Sequence, residues 1–371
     1  MRIRMIDPAA YTPPYDHALC SALAAAGEQV ELLTSRFRHG ERPAPEGYEL
    51  REHFHRLGGP LASRAAQHPY DMLRLRRLPR SDVTHFQWLP MPNVDRRLLP
   101  HGPVVLTAHD VIPREPRPGQ LGALKATYNA VDAVIVHSEH GRGLLTGRLG
   151  VASERVHVIG HGVFDYLTRV PDAKPLPAEL AAADRPVVLC FGLWRPYKGF
   201  DLMIDAFAES DADAELWIVG MPRMPERTLR ERADAAGISE RVRFVPRFVG
   251  DSELGAYFKR ADVVALPYRE IDQSGVLFTA LAFEKPLLVT RVGGFGEIAD
   301  VHGAAEIVPP NDSSALAAAL TRLLADQARR RELSAAARVL ATGELAWPAI
   351  ARRTAALYRE LAQRREAARP R

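Results

Sequence analysis

The stretch Val187-Val188-Leu189-Cys190-Phe191-Gly192-Leu193-Trp194-Arg195-Pro196-Tyr197-Lys198-Gly199-Phe200-Asp201 decides how the chain is read. Five apolar residues in a row form a strand buried on both faces, Gly192 ends it, and a helical pattern runs on from Gly199 to Ala208. A strand feeding a helix in this way is the unit of a parallel, doubly wound sheet. The same alternation continues downstream. Strands are expected at Glu215–Val219, Val242–Val245, Val263–Leu266 and Leu287–Thr290, with helices at Glu226–Ala236, Ser252–Lys259 and Gly275–Phe283. After Pro309-Pro310 the chain turns helical and alanine-rich, with Asp312 or Ser313 as the cap of the first helix.

Upstream lies a second series of the same kind. Its expected strands are Ile3–Ile6, Gln29–Leu33, Val83–Phe86, Val104–Thr107, Ala133–Val136 and Val156–Ile159. Helical patterns cover Tyr15–Ala26, Leu121–Asn129 and Glu139–Leu149, the last capped by Ser138. The proline-rich region from Gly160 to Pro186 breaks the rhythm. The resulting division is 1–165 for a first domain, 166–186 for a linker, 187–345 for a second domain and 346–371 for a terminal helix. Both domains are α/β and doubly wound, a fold that takes ligands at the carboxyl ends of its strands.

The chain has 371 residues, 47% of them apolar and 25% charged, which excludes a mainly disordered protein. No apolar run approaches the ~18 residues of a membrane-spanning helix, and no signal-peptide core precedes the first strand. Two cysteines give neither a disulfide framework nor a metal cluster, so a cytoplasmic location is expected. Net charge is +4, and residues 1–170 carry all of it, with 21 Lys and Arg against 17 Asp and Glu. Within Arg51–Arg80, seven arginines face two acids, a composition suited to peripheral contact with an anionic membrane surface. Nothing in the chain reads as a nucleic-acid-binding motif.

Three segments carry chemistry. Gly192 allows close backbone approach at a strand end, and Arg195 and Lys198 place two cations on the loop that follows, which suits a diphosphate. The spacing is not that of a Walker loop. In Tyr268-Arg269-Glu270-Ile271-Asp272-Gln273-Ser274-Gly275-Val276, a helix starts at Ser274-Gly275, where free N–H groups form an anion site. Glu270 and Asp272 stand just ahead of it, placed to meet sugar hydroxyls. The turn Gly293-Gly294-Phe295-Gly296-Glu297 follows the next strand. In the first half, His109 ends a strand in Thr107-Ala108-His109-Asp110, and His137 and His161 end the next two.

This ordered set of motifs resembles glycosyltransferase family 4: His109-Asp110, His161-Gly162-Val163, Arg195-Pro196-Tyr197-Lys198-Gly199, Gln273-Ser274-Gly275-Val276 and Gly293-Gly294-x-Gly-Glu297. The resemblance covers essentially the whole chain. It implies the GT-B architecture, two Rossmann-like domains facing across a cleft, with a C-terminal helix crossing back to the first. It further implies a retaining transferase with no metal and no cofactor, whose donor substrate is a nucleoside-diphosphate sugar. The acceptor is not legible. By the resemblance, His109, Arg195, Lys198 and Glu270 form the catalytic group, while Gly192, Asp272, Gln273, Ser274, Gly275, Val276, Thr279 and Glu297 bind the donor. The chain departs from the family where a second glutamate usually meets the donor ribose. Counting back from Pro286 places Thr279 there, and Glu284 replaces the usual glycine. The first glutamate aligns with Ile271, flanked by Glu270 and Asp272.

Other classes fit less well. A nicotinamide enzyme would need G-x-G-x-x-G after Ile3–Ile6, where Pro8, Pro13 and Pro14 stand instead. The D-x-D of Asp211-Ala212-Asp213 precedes a strand and reads as a turn. A nucleotide-sugar-binding protein without transfer, or a phosphorylase or epimerase on the same scaffold, remains as the alternative.

Overall fold

The computed structural model describes residues 1–37, 44–114 and 116–367. They form two compact units, Met1–Gly162 with Leu345–Arg371, and Val163–Glu344. In the first unit, seven parallel strands are ordered β3-β2-β1-β4-β5-β6-β7. They are β1 (Arg2–Asp7), β2 (Gln29–Thr34), β3 (Glu49–Glu52), β4 (Val83–Phe86), β5 (Val104–Thr107), β6 (Ala133–Val136) and β7 (Val156–Val158). In the second, six parallel strands are ordered β10-β9-β8-β11-β12-β13. These are β8 (Val187–Phe191), β9 (Glu215–Val219), β10 (Val242–Val245), β11 (Val263–Leu266), β12 (Leu287–Thr290) and β13 (Ala305–Val308). Each sheet therefore reverses its order once, between β1 and β4 and between β8 and β11. Each is a Rossmann-like domain.

The central strands are mostly apolar because helices cover both faces, and every residue of β4, β5, β6, β8, β9, β11 and β12 is buried, Thr84 and His85 of β4 and Glu215 of β9 included. Ser138 caps its helix as expected, its hydroxyl accepting from the Gly141 N–H at 3.1 Å, and Asp312 caps the helix Ser313–Ala325. The pattern over Glu139–Leu149 splits into an α-turn, Glu139–Gly143, and a π-turn, Leu144–Arg148.

Several elements lie outside the sequence expectation, the short helices Pro92–Asp95, Ala178–Ala181 and Phe295–Asp300 among them. β3, Glu-Leu-Arg-Glu, is an edge strand whose charged residues keep the sheet end from pairing further. β13 is the opposite kind of edge, four residues ahead of Pro309-Pro310. The helix Leu61–Arg76 occupies the arginine-rich segment. Residues 166–186 hold little regular structure but are tied to the second unit, with the Lys174 N–H donating to Ser252 O at 2.7 Å and Tyr166 Oη to Asp251 at 3.2 Å. Asp213 of the D-x-D pairs with Arg185 at 3.1 Å.

The terminal helix Trp347–Ala367 belongs to the first unit, where Ile350, Ala351, Leu357, Tyr358 and Leu361 pack with Leu19, Cys20 and Leu23 of the helix Pro13–Ala25. Tyr358 is fully buried, and its hydroxyl lies 2.5 Å from His85 Nδ1. Tyr358→Ala removes a buried ring and strands His85, so denaturant unfolding should show a loss of about 3–5 kcal/mol, carried by the first unit.

Candidate active site

The second-unit site grows from the carboxyl end of β8. Gly192 has φ +113°, and a Cβ there would sit 3.3 Å from both Lys198 Nζ and Val276 Cγ2. The loop after it is held to the neighbouring one, with the Trp194 N–H donating to Met221 O at 3.0 Å. Pro196–Lys198 form one 3₁₀ turn, closed by Gly199 at φ +65°. Any side chain at Gly199 would meet Pro267 O at 2.0 Å, so the loops after β8 and β11 touch backbone to backbone. Arg269 fastens the same contact. It donates to Pro196 O at 2.7 Å and pairs with both carboxylate oxygens of Asp201, at 2.9 and 2.8 Å. Burial opposes ionisation of Asp201, yet the Arg269 guanidinium holds its carboxyl below the usual range.

This closure buries Lys198, whose Nζ donates to Tyr268 Oη at 2.5 Å and lies 4.3 Å from the centre of that ring. Tyr268 Oη is in turn 3.3 Å from Ser274 Oγ, so Lys198, Tyr268 and Ser274 form one buried polar chain. Ser274 is the N-cap residue of the helix Gly275–Ala282, but its side chain does not cap it. The first-turn N–H groups of Gly275 and Val276 are therefore left to an external acceptor. Arg195 stands exposed nearby in sequence and makes no ion pair among the described residues.

The structure brings Gly192, Lys198, Ser274 and Val276 together directly. Asp272 and Gln273 are half-buried, and Asp272 O accepts from the Gly294 N–H at 3.2 Å, which joins this loop to the turn carrying half-buried Glu297. Glu270 is exposed on the same loop, ahead of the uncapped helix. Thr279 lies one turn into the helix. It is 5% exposed, and its hydroxyl donates back to Gly275 O at 2.9 Å. That hydroxyl keeps only its lone pairs for a ligand. Tyr268 and Arg269, which join the loops, were not singled out by sequence. Their only signal is position, just after a buried strand at the point where the sheet reverses.

His109 belongs to the first unit and follows β5. Its Nε2 is 2.9 Å from Gln87 Oε1, its Nδ1 is 3.4 Å from His137 Nε2, and its ring stacks on Trp88 at 5.1 Å and 17°. His137 Nδ1 donates to Ile159 O at 3.0 Å. Tyr15 touches the rings of His109, His137 and His161, with centroids 4.8, 5.6 and 4.9 Å away. At the end of β1, Asp7 accepts from the N–H groups of Ala9, Tyr11 and Thr12 and so shapes the loop into the first helix. Burial, then the Asp7 charge, raises the Asp16 carboxyl well above its usual range. Beside His109, the residues Trp88, Leu89, Pro90, Leu106, Leu124 and Tyr128 help line a cavity of about 240 Å³.

Two family models match. "Glycosyltransferase Family 4" matches residues 15–164, and "Glycosyl transferases group 1" matches residues 185–326. The fold and these matches define a GT-B glycosyltransferase. More particularly, the chain is similar to the family 4 members of that class, its first half by one model and its second half by the other.

Among curated relatives, a GDP-mannose-dependent alpha-(1-6)-phosphatidylinositol monomannoside mannosyltransferase of Mycolicibacterium smegmatis is 31% identical over 256 residues, 66% of each chain. A D-inositol 3-phosphate glycosyltransferase of Xylanimonas cellulosilytica is 29% identical over 64% of this chain and 59% of its own. The matched stretch thus spans about two-thirds or less of these relatives' lengths. Among solved structures, sucrose-phosphate synthase from Thermosynechococcus elongatus has TM-score 0.74 at 23% identity, covering 97% of this chain and 99% of that one. Anabaena HepE in complex with UDP has TM-score 0.76 at 18% identity, covering 97% and 100%. At such identities the likeness is one of fold.

Burial of the first-unit histidines has a consequence for stability. It pushes His137 down to about 4 and His85 and His161 to about 3, and lowers His109 as well. Unfolded, each ring titrates near ~6.5. The unfolded chain therefore binds more protons below that pH, and stability falls as pH falls through the window down to about 4. The Asp7 and Asp16 carboxyls, both raised by burial, act in the opposite sense, but the four histidines outnumber them. The Tm should drop between neutral pH and pH ~5, each ring contributing at most about 1.4 kcal/mol per pH unit. A Tm that is flat or rises on acidification would contradict this.

Proposed function

We propose that the chain is a retaining glycosyltransferase that moves a sugar from a nucleoside-diphosphate sugar to an acceptor, without a divalent metal or other cofactor. The observation that carries the reading is the pairing of buried Lys198 with an uncapped helix start at the reversal point of the second sheet. Lys198 and Arg195 hold the diphosphate and take up the charge that develops on it as the glycosidic bond breaks. The N–H groups of Gly275 and Val276 donate to the same phosphates, with Ser274 behind them. Glu270 and Asp272 are assigned to the sugar hydroxyls, and His109, a neutral imidazole, to the transferred sugar. Gly192 clears space for the phosphates, while Gln273, Thr279 and Glu297 line the nucleotide side. No carboxylate opens the usual ribose contact, and the Thr279 hydroxyl is already committed to Gly275 O. That last feature favours a second reading, a nucleotide-sugar binder that does not transfer.

A panel of nucleoside diphosphates, UDP and GDP included, and their sugars should identify the donor by thermal shift. A ligand at 100 times its Kd stabilises by ~2.7 kcal/mol. With the donor known, Arg195→Ala and Lys198→Ala should each reduce transfer by about 10²–10³. Near-normal turnover in both would remove the diphosphate assignment, and donor binding with neither transfer nor hydrolysis would establish the second reading.

Activity should also persist in excess chelator, since the two cations do the work of a divalent ion. A loss reversed by magnesium or manganese would refute metal independence.

A further inference from the structure

The helix Leu61–Arg76 is turned the wrong way round for a surface helix. Its inner face buries polar groups: His68, whose Nε2 is 2.7 Å from Asp95, and Asp71, which accepts from the His55 N–H at 2.8 Å. Met72 and Leu75 are the only large apolar side chains it buries. Its outer face carries Ala62, Ala66, Tyr70 and Leu73, all exposed. At helical spacing these form one stripe along an element ~24 Å long. Leu61, exposed at the start of the helix but off the row by helical spacing, and Leu57 in the loop before it add apolar surface at that end. Nine large apolar side chains stand exposed among the described residues, and Leu57 (88%), Leu61 (75%), Tyr70 (62%) and Leu73 (43%) crowd into this one segment. Both buried polar groups are hydrogen-bonded, so what the helix leaves uncompensated is its exposed apolar row.

Charge tells what covers the stripe. Arg74 and Arg76 flank it on opposite sides, and Arg56, Arg77 and Arg80 stand near its two ends. Arg74 lies 6.0 Å from the Tyr70 ring. The segment from His53 to Arg80 contains one acid, Asp71, and that residue is buried and pairs with Arg74 at 3.4 Å, which leaves Arg56, Arg76, Arg77 and Arg80 without a carboxylate from this segment. The outer face is thus a straight apolar row with cations on both flanks and no exposed carboxylate. An apolar face with a basic rim and an interfacial tyrosine is the geometry of a helix lying in the plane of an anionic bilayer.

We propose that the helix Leu61–Arg76 and the loop ahead of it dock the first unit on a bilayer surface containing anionic lipid. The stripe sinks to the acyl boundary, and the arginines meet headgroup phosphates. The proposal does not depend on the donor or the reaction.

Sedimentation of the full chain with vesicles tests it. Retention is expected on equal parts phosphatidylcholine and phosphatidylglycerol, weak on phosphatidylcholine alone, and reduced by high salt. Leu61→Ser with Leu73→Ser should weaken binding at least about tenfold, and Arg77→Gln with Arg80→Gln about 25-fold, at about fivefold per arginine. All four side chains leave the core untouched, so melting temperatures should hold. Val339→Ser, an exposed residue of the helix Gln327–Thr342 in the second unit, should bind as the parent does. Equal retention on both vesicles, or unchanged binding by the serine pair, overturns the proposal. So does a lipid-free dimer that the serine pair dissociates, which would give the face to a second copy of the chain.

Discussion

A parallel sheet whose strand order reverses must leave a gap above the two strands at the reversal, because their connections depart to opposite faces. In the second unit those strands are β8 and β11, and everything assigned to the donor hangs on the closure of that gap. The loops from the two strands meet backbone to backbone at Gly199 and Pro267 and are cross-braced by Arg269. The bracing drives Lys198 inward onto Tyr268. Without it, a lysine on a surface turn would point to water. With it, a cation is held in a low-dielectric setting with a tyrosine hydroxyl and ring as its partners, where a phosphate gains most from its charge.

The first unit resolves its own reversal differently. At the carboxyl ends of β4 to β7 stands a set of neutral rings, His109, His137, His161, Tyr15 and Trp88, with Asp7 organising the loop after β1. Burial keeps the imidazoles uncharged, so His109 offers hydrogen bonding without charge. One fold thus builds a charged crevice in one unit and a neutral one in the other, from the residues that cap its central strands.

Much of this was legible in sequence, since central strands of a parallel sheet are apolar without interruption and end in glycine or polar residues. Val187–Phe191 and Leu287–Thr290 show their boundaries in their letters alone. What was not legible had either no apolar signature or a distant partner. The edge strand Glu49–Glu52 is charged because it is an edge. The helix Leu61–Arg76 hides its pattern by burying His68 and Asp71 beside Met72 and Leu75 while Tyr70 and Leu73 stand exposed. Lys198 and Arg195 could be picked from spacing, but the tyrosine that receives Lys198 lies 70 residues on. The pairing of Asp201 with Arg269 also required the fold. Likewise, Thr279 offered a hydroxyl on paper that the helix had already taken.

The chain leaves its first unit at Gly162 and re-enters it at Leu345. Met1 is bound through its ammonium group to Glu28, and Glu28 also receives Arg359 from the terminal helix. The beginning and the end of the chain are therefore parts of one core. During synthesis this sets an order contrary to that of the sequence. The second unit is contiguous and has all its residues once Glu344 has emerged from the ribosome. The first, although made earlier, lacks the helix that covers Leu19, Cys20 and Leu23 until Trp347–Ala367 has emerged in its turn. Its sheet must wait with that face uncovered, and it is then that a chaperone would find the chain.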